Sequence, residues 1–366
     1  MPVRFPKEVY VQKRFQGPRN VETETDLFVD GEEFGRYAAN WHQKGTRFVK
    51  DGYEGPSVAT AEHLSGGPMG YNNFLDADAA MGLVREFPNG SAVVIIKHTN
   101  PCGAAYYPGS TLQRSVFEHA YEGDTEAAFG GIMALSFPMD DDLVEDVLKK
   151  KKFDIIIAPG YTERAIARLK ERRGKTVVLR VPNLHLPGRE LYETRAIEGG
   201  MLTQETDRLT YPEGINNIMD IWGPPFEVEY GGKERTVGFV TEKIPNPDQA
   251  SLYDFAWKVA KHTKSNAITA ARMSGGIMQI TGNGAGQMKR INSARLALEM
   301  NSNNLQPQVV GSDAFIPFPD VVELAGECGV DGIIQPGGSD GDQKAIDMAN
   351  EYGMAMLFTG MRHFRH

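Results

Sequence analysis

The chain has 366 residues, enough for two domains and a sizeable core, and its 41% apolar and 24% charged residues are those of a globular protein. A net charge of -9 argues against general binding of nucleic acid or of an anionic membrane, while leaving room for an anionic small substrate held by a local cluster of Arg and Lys. Cys102 and Cys328 have no CxxC spacing, residues 1–15 lack the apolar stretch of a signal peptide, and no run approaches the roughly 18–20 apolar residues of a membrane span, so a cytoplasmic protein without disulfide framework or structural zinc is expected.

In chain order, the first dense run of polar and aromatic groups is 36–43, from Arg36 and Tyr37 to His42 and Gln43. Tyr71, Asn72 and Asn73, with Asp76 and Asp78, read as the N-cap and first turn of a helix. Residues 92–97 form a short, continuously apolar run ending in Lys97, typical of a strand buried on both faces. The turn-rich segment 99–103 would end that strand and leave Lys97 and His98 at its C-terminal edge, where open α/β sheets place their ligands. Further strands are predicted at 153–159, 175–181, 276–281, 332–335 and 354–359, with helices at 162–173, 287–300, 321–327 and 340–352. Alternating strands and helices predict an α/β architecture with largely parallel pairing. The stretch 180–250 has no strong periodicity.

An internal repeat is visible. Residues 154–160 match 331–337, and each match follows a helix and, before it, an Ala-Phe pair, Ala128-Phe129 and Ala314-Phe315. Two similar α/β domains are therefore expected, 1–190 and 191–366.

Lys-His alone is a common dipeptide, and two surface polar residues would satisfy it. Its place where a buried strand runs out makes it a candidate: Lys can stabilise a developing oxyanion, and His can transfer a proton near neutral pH. Gly282, Gly284 and Gly286, ahead of Lys289 and Arg290, read either as backbone N–H groups presented to an anion at a helix N-terminus or as a tight turn without a ligand. The C-terminal residues 361–366 read as a tail or, given Phe364, as a packed segment. There is no zinc-deaminase signature, nucleophile elbow or Walker A loop.

Taken together, these segments resemble the AICAR (aminoimidazole carboxamide ribonucleotide) transformylase portion of the bifunctional purine biosynthesis family. The matching pieces are 36–43, 71–80, 96–103, 128–131, 154–161, 255–268, 284–287, 312–315, 335–339 and 361–366, in family order. The resemblance implies two tandem, duplicated cytidine-deaminase-like α/β domains without zinc, a homodimer with active sites at the subunit interface, and transfer of a formyl group from 10-formyltetrahydrofolate to the 5-amino group of AICAR. It assigns Lys97 and His98 as the catalytic pair and Asn266 as the residue that orients the nucleotide's carboxamide and amine. Arg36, Tyr37, Arg173 and Arg362 match positions near the phosphate. Asn73, Phe129, Gly130 and Asp154 match positions around imidazole and ribose, and His366 a terminal His close to the site. Arg290, Phe315, Phe318 and Asp320 match the folate-facing region.

The chain departs from the family pattern at Ala38, Trp41, Thr125 and Ala127, and at Pro319 and Val321 where the family has Arg and Asn. About 35 residues precede the first motif, well short of a domain. The resemblance then implies no IMP cyclohydrolase activity, with ring closure left to a separate protein. Two other readings stand beside it: a non-catalytic AICAR-binding regulatory protein, and a formyltransferase with a different donor.

Overall fold

The computed structural model describes residues 9–16, 21–33, 38–188, 190–299 and 304–366, the first two stretches by their backbone. The chain opens with an antiparallel sheet of β1 (Val9–Gln16), β2 (Val21–Glu33) and β3 (Thr46–Lys50). A short β4 (Glu62–Ser65) leads to α1 (Tyr71–Val84), then the hairpin β5 (Ser91–Lys97) and β6 (Asn100–Tyr107). After it come α2 (Gln113–Glu122), β7 (Ile132–Leu135), α3 (Asp141–Lys149), β8 (Ile155–Ala158), α4 (Glu163–Arg173) and β9 (Val177–Arg180). Two hairpins follow: β10 (Tyr192–Ile197) with β11 (Gly200–Glu205), almost wholly exposed, and β12 (Phe226–Tyr230) with β13 (Lys233–Phe239). The earlier order then returns: α5 (Ala250–Lys261), the hairpin β14 (Ile268–Ser274) and β15 (Ile277–Gly284), α6 (Arg290–Leu298), β16 (Val309–Ser312), α7 (Asp320–Glu327), β17 (Gly332–Gln335), α8 (Asp342–Glu351) and β18 (Ala355–Phe358).

Among the described residues the main sheet has 13 strands, ordered β12-β13-β18-β17-β16-β14-β15-β6-β5-β7-β8-β9-β4. The expectation of largely parallel pairing is corrected: the sheet is mixed. Only β7-β8-β9 and β16-β17-β18 are parallel, and β5 and β14 run against them. The reason is local. Each of these strands turns back through a two-residue loop, Lys97 pairing with Asn100 and Ser274 with Ile277, too short for a crossover to a parallel strand.

Strand alternation sorts the core. Val94 and Ile96 of β5 join a cluster with α1 and α5, whereas Val93 and Ile95 pack with α2 and α3 on the opposite face. The α1/α5 face is continuous across the β6–β15 seam, where Phe87 and Phe255 lie 5.5 Å apart and Glu86 Oε1 accepts from Lys261 Nζ at 2.9 Å and His262 Nε2 at 2.8 Å.

The mixed sense moves the site relative to the expected edge. Lys97 ends its own strand, but Ile96 pairs with Ile132, the first residue of β7, so the pair faces the N-terminal ends of β7 to β9. On the other half Ile268 pairs with Ser312, so residues preceding β14 meet the C-terminal ends of β16 to β18. Both groups fall on one edge of the same sheet. The matched segments 154–160 and 331–337 fall on β8 and β17, at corresponding places in the two orders. The Ala-Phe pairs do not correspond: Ala128-Phe129 precedes β7, and Ala314-Phe315 follows β16.

The glycine run is also corrected. Gly282 and Gly284 lie within β15, and α6 starts only at Arg290. A Cβ on Gly282 would stand 2.1 Å from the Ala297 carbonyl oxygen, and one on Gly284 1.9 Å from that of Ser293. These glycines admit the close approach of α6 to the sheet; they do not cradle an anion.

Candidate functional site

Residues Ser91 to Ile96 of β5 are buried, Lys97 is half-buried and His98 is exposed. The turn beyond them is His98-Thr99 alone, with φ of 52° and 63°; Pro101, Cys102 and Gly103, expected in the turn, belong to β6. Two-residue hairpin loops with positive φ at both positions favour Asn-Gly, and a left-handed non-glycine residue costs roughly 1–2 kcal/mol. His and β-branched Thr are thus held here against preference. Thr99 Oγ1 and Asn100 Nδ2 donate to the His98 carbonyl oxygen at 2.7 and 3.0 Å, and the Thr99 N–H donates to Asp76 Oδ1 at 2.7 Å. Asp76 and Asp78 therefore sit beyond the first turn of α1, contrary to expectation. In the first turn Asn73 Oδ1 accepts from the Gly70 N–H at 2.9 Å.

Lys97 Nζ donates to the Phe129 carbonyl oxygen. Gly130 follows with φ 68°, and a Cβ there would lie 3.2 Å from Lys97 Nζ and 3.5 Å from Asp154 Oδ2. Lys97, Gly130 and Asp154 thus lie close together, with Asp154 Oδ1 paired to Lys152 at 2.8 Å. The Gly130 N–H donates to the Lys152 carbonyl oxygen at 2.7 Å, fixing that loop. Arg173 stands one step further along the edge, its Nη2 donating to the carbonyl oxygens of Leu148 and Lys150 at 3.2 and 3.1 Å. Burial pushes the Cys102 thiol up to about 12, so it is not the nucleophile of a neutral-pH reaction.

The second half contributes through Asn100, whose Oδ1 accepts the Lys264 N–H at 2.9 Å. Two residues on, Asn266 is fixed at both ends of its amide. Nδ2 donates to the carbonyl oxygens of Gln287 and Met288 at 2.9 and 3.1 Å, and Oδ1 accepts from Arg290 Nη2 at 2.8 Å. Arg290 is buried, and its Nη1 donates to Asp313 Oδ1, Ser312 Oγ and the Ala267 carbonyl oxygen. The structure therefore sets Arg290 behind Asn266, away from the cleft expected to receive a second substrate.

That cleft, of about 620 Å³, is lined by Phe315, Phe318, Pro319, Ser339, Asp340 and Lys344 among others. Asp320 starts α7 beside it and accepts from the Val321 N–H at 2.8 Å.

The C-terminal residues are packed, which settles the choice between tail and packed segment. The Ser265 N–H donates to the Arg365 carbonyl oxygen at 2.9 Å, the Arg365 N–H to Ser265 Oγ at 3.0 Å, and the His363 N–H to the Asp313 carbonyl oxygen at 2.9 Å. Arg362 is exposed, its guanidinium 4.7 Å from the Phe364 ring centroid, and His366 is exposed beside that ring. Arg36 and Tyr37 lie outside the described residues. Sequence reasoning missed Asn100, Ser265 and Asp313 as joints of the site; all three stood within matched motifs, but their partners are distant in the chain.

Among the described residues no group of His, Cys, Asp or Glu could hold a metal ion, and no helix is long and apolar enough to cross a membrane. The family model of the AICARFT/IMPCHase bienzyme matches residues 8–300. The chain is 38% identical over 352 residues to the bifunctional purine biosynthesis protein PurH of Halalkalibacterium halodurans, covering 96% of this chain and 62% of that protein. To the proteins of the same name from Lactobacillus delbrueckii subsp. bulgaricus and Enterococcus faecalis it is 40% and 38% identical, covering 61% and 59% of their lengths. The chain thus spans about three fifths of the curated relatives it matches. With the match running through both halves of the sheet and along the edge that carries Lys97, His98 and Asn266, this chain belongs to the AICARFT/IMPCHase bienzyme family.

Proposed function

We propose that this chain transfers a formyl group from 10-formyltetrahydrofolate, a cosubstrate, to the 5-amino group of AICAR in purine biosynthesis. The observation that carries the reading is the joining of two half-sites on one sheet edge: Lys97 and His98 at the β5–β6 turn, and Asn266 tied to that turn through the Asn100–Lys264 hydrogen bond. The fixed amide of Asn266 suits a residue that orients a carboxamide and a neighbouring amine. The cluster of Lys97, Gly130 and Asp154 is assigned to the imidazole and ribose, together with Phe129 and Asn73. Arg173 and Arg362, with Arg36 and Tyr37, are assigned to the phosphate, and His366 to the same side. Phe315 and Phe318 offer apolar walls for a flat folate ring, and Asp320 stands next to them.

The chemistry follows from these groups. The amine's lone pair is delocalised into its ring, so holding it at the formyl carbon is the first contribution. As the new C–N bond forms, His98 takes the amine proton and the Lys97 ammonium donates to the tetrahedral oxyanion. Collapse breaks the bond to the folate nitrogen, which receives the proton from the imidazolium. Formyl-AICAR and tetrahydrofolate leave, and the proton balance closes.

We further propose that 1–190 and 191–366 each carry a cytidine-deaminase-like unit of common origin, supported by the shared order of helix, antiparallel hairpin, helix and three parallel strands with two intervening helices. Incubating the protein with AICAR and 10-formyltetrahydrofolate and following tetrahydrofolate tests the activity. His98→Ala is expected to lose about 10²–10⁴ in turnover, and near wild-type turnover would sink the assignment. The substitutions Pro319 and Val321 beside the cleft motivate one further arm, formate with ATP, should AICAR bind without turnover.

A further inference from the structure

Asp76 has no task that the helix itself requires. It lies six residues into α1, where Asp is a poor helix former, and it is flanked by the buried Ala77, Ala79 and Ala80. Burying a carboxylate is unfavourable unless donors meet it. Burial does raise its pKa, opposed chiefly by the Thr99 N–H and by the charges of His98 and Lys97.

The donor that meets it comes from the hairpin. Thr99 and His98 have consecutive left-handed backbones, the form of a primed two-residue hairpin turn. The Thr99 N–H reaches Asp76 Oδ1 at 2.7 Å. The turn's other bonds are those of Thr99 Oγ1 and Asn100 Nδ2 to the His98 carbonyl oxygen, and Asn100 beside it accepts the Lys264 N–H. The His98 ring is exposed, so no core contact fixes it.

We propose that Asp76 is a positioning residue of the formyl-transfer site: its carboxylate accepts the Thr99 N–H of the left-handed His98–Thr99 turn and so holds the imidazole beside Lys97. The inference rests on the reading of His98 as the base. It explains why a two-residue loop suited to Asn-Gly keeps its shape with His and Thr.

The test compares kcat and the KM for AICAR in Asp76→Ala, Asp76→Asn, Asp76→Glu and Asp76→Ala/Thr99→Gly, with folding checked by circular dichroism. Misplacing a catalytic group by about 1 Å costs on the order of 10²-fold. Asp76→Ala is therefore expected to lower kcat about 100-fold while KM stays within about threefold. Asp76→Asn keeps an acceptor at Oδ1 and retains most of the rate. Asp76→Glu keeps the charge but puts it out of register, and loses about tenfold. Glycine at Thr99 removes the backbone conflict and recovers about tenfold in the alanine background. Wild-type kcat in Asp76→Ala, or a loss in Asp76→Asn as deep as in Asp76→Ala, overturns the proposal. Should Asp76→Ala not fold, an unimpaired Asp76→Glu overturns it equally. His98→Ala with full turnover defeats the functional reading; an inactive His98→Ala beside an unaffected Asp76→Ala defeats only this inference.

Discussion

Arg290 carries a full charge into a buried position, and every direction of its guanidinium that the structure records meets an acceptor: Asn266 Oδ1, Asp313, Ser312 and the Ala267 carbonyl. Breaking a buried pair leaves the partner charge uncompensated, at about 3–5 kcal/mol. Arg290→Ala is expected to lose stability of that order in urea denaturation and to weaken AICAR binding, because Asn266 then loses the donor on its oxygen. Arg290→Lys should do little better, since an ammonium cannot reproduce the planar fork. A stable variant with unaltered AICAR affinity would show that Arg290 does not position Asn266.

Two elements depend on close approach or buried charge. α6 lies so near β15 that a Cβ at Gly282 or Gly284 would overlap helix carbonyl oxygens. Gly282→Ala is expected to cost about 1–3 kcal/mol as α6 is pushed off the sheet, read as a lowered Tm. The ends of α1 and α5 meet at Glu86, Lys261 and His262, with Arg365 Nη1 donating to His262 Nδ1 at 3.3 Å. Burial lowers the pKa of His262 from its ordinary 6.5, and hydrogen bonds from His262 and Lys261 hold Glu86 well below its ordinary 4.5 despite burial. In both cases the unfolded chain binds the proton first. Stability is therefore complete above about pH 6.5, falls as His262 titrates in the unfolded chain, and falls again below about pH 4.5. Asp76, shifted upward, acts in the opposite sense at the acid end. A Tm series from pH 8 to 5 should decline, and His262→Gln, which keeps a donor and an acceptor, should flatten the step near pH 6.5; an unchanged step excludes His262 as its source.

At the scale of the whole molecule, the edge that carries the site also bears exposed large apolar groups: Phe129 is 58%, Phe318 65% and Met288 99% exposed. Such groups around a polar centre are typical of a surface that another chain covers. The homodimer with interfacial sites that the family resemblance implies predicts twice the chain mass in sedimentation velocity. Met288→Glu should shift the protein towards monomer and lower turnover together; an active monomer would exclude an interfacial site.

Legible along the chain were β5, β8, β9, β15, β17 and β18, the start of α1, the helices α4, α6, α7 and α8, the candidate pair Lys97-His98 and the family, because apolar runs, helical periods and contiguous motifs are local properties of a chain; β6, β10 to β14 and β16 carried no such signal. Residues 154–160 and 331–337 were already visible as counterparts, and they do fall on β8 and β17. The tertiary structure alone decided the sense of the strands, the role of the glycines in β15, the place of Arg290 behind Asn266 and the bond from Asp76 to Thr99. Asp76 and Thr99 are 23 positions apart, Asn100 and Lys264 164, and Arg365 and Ser265 100. Such partners are chosen by how helices stack on a sheet and by which edge a two-residue turn faces. No periodicity along the chain encodes that choice.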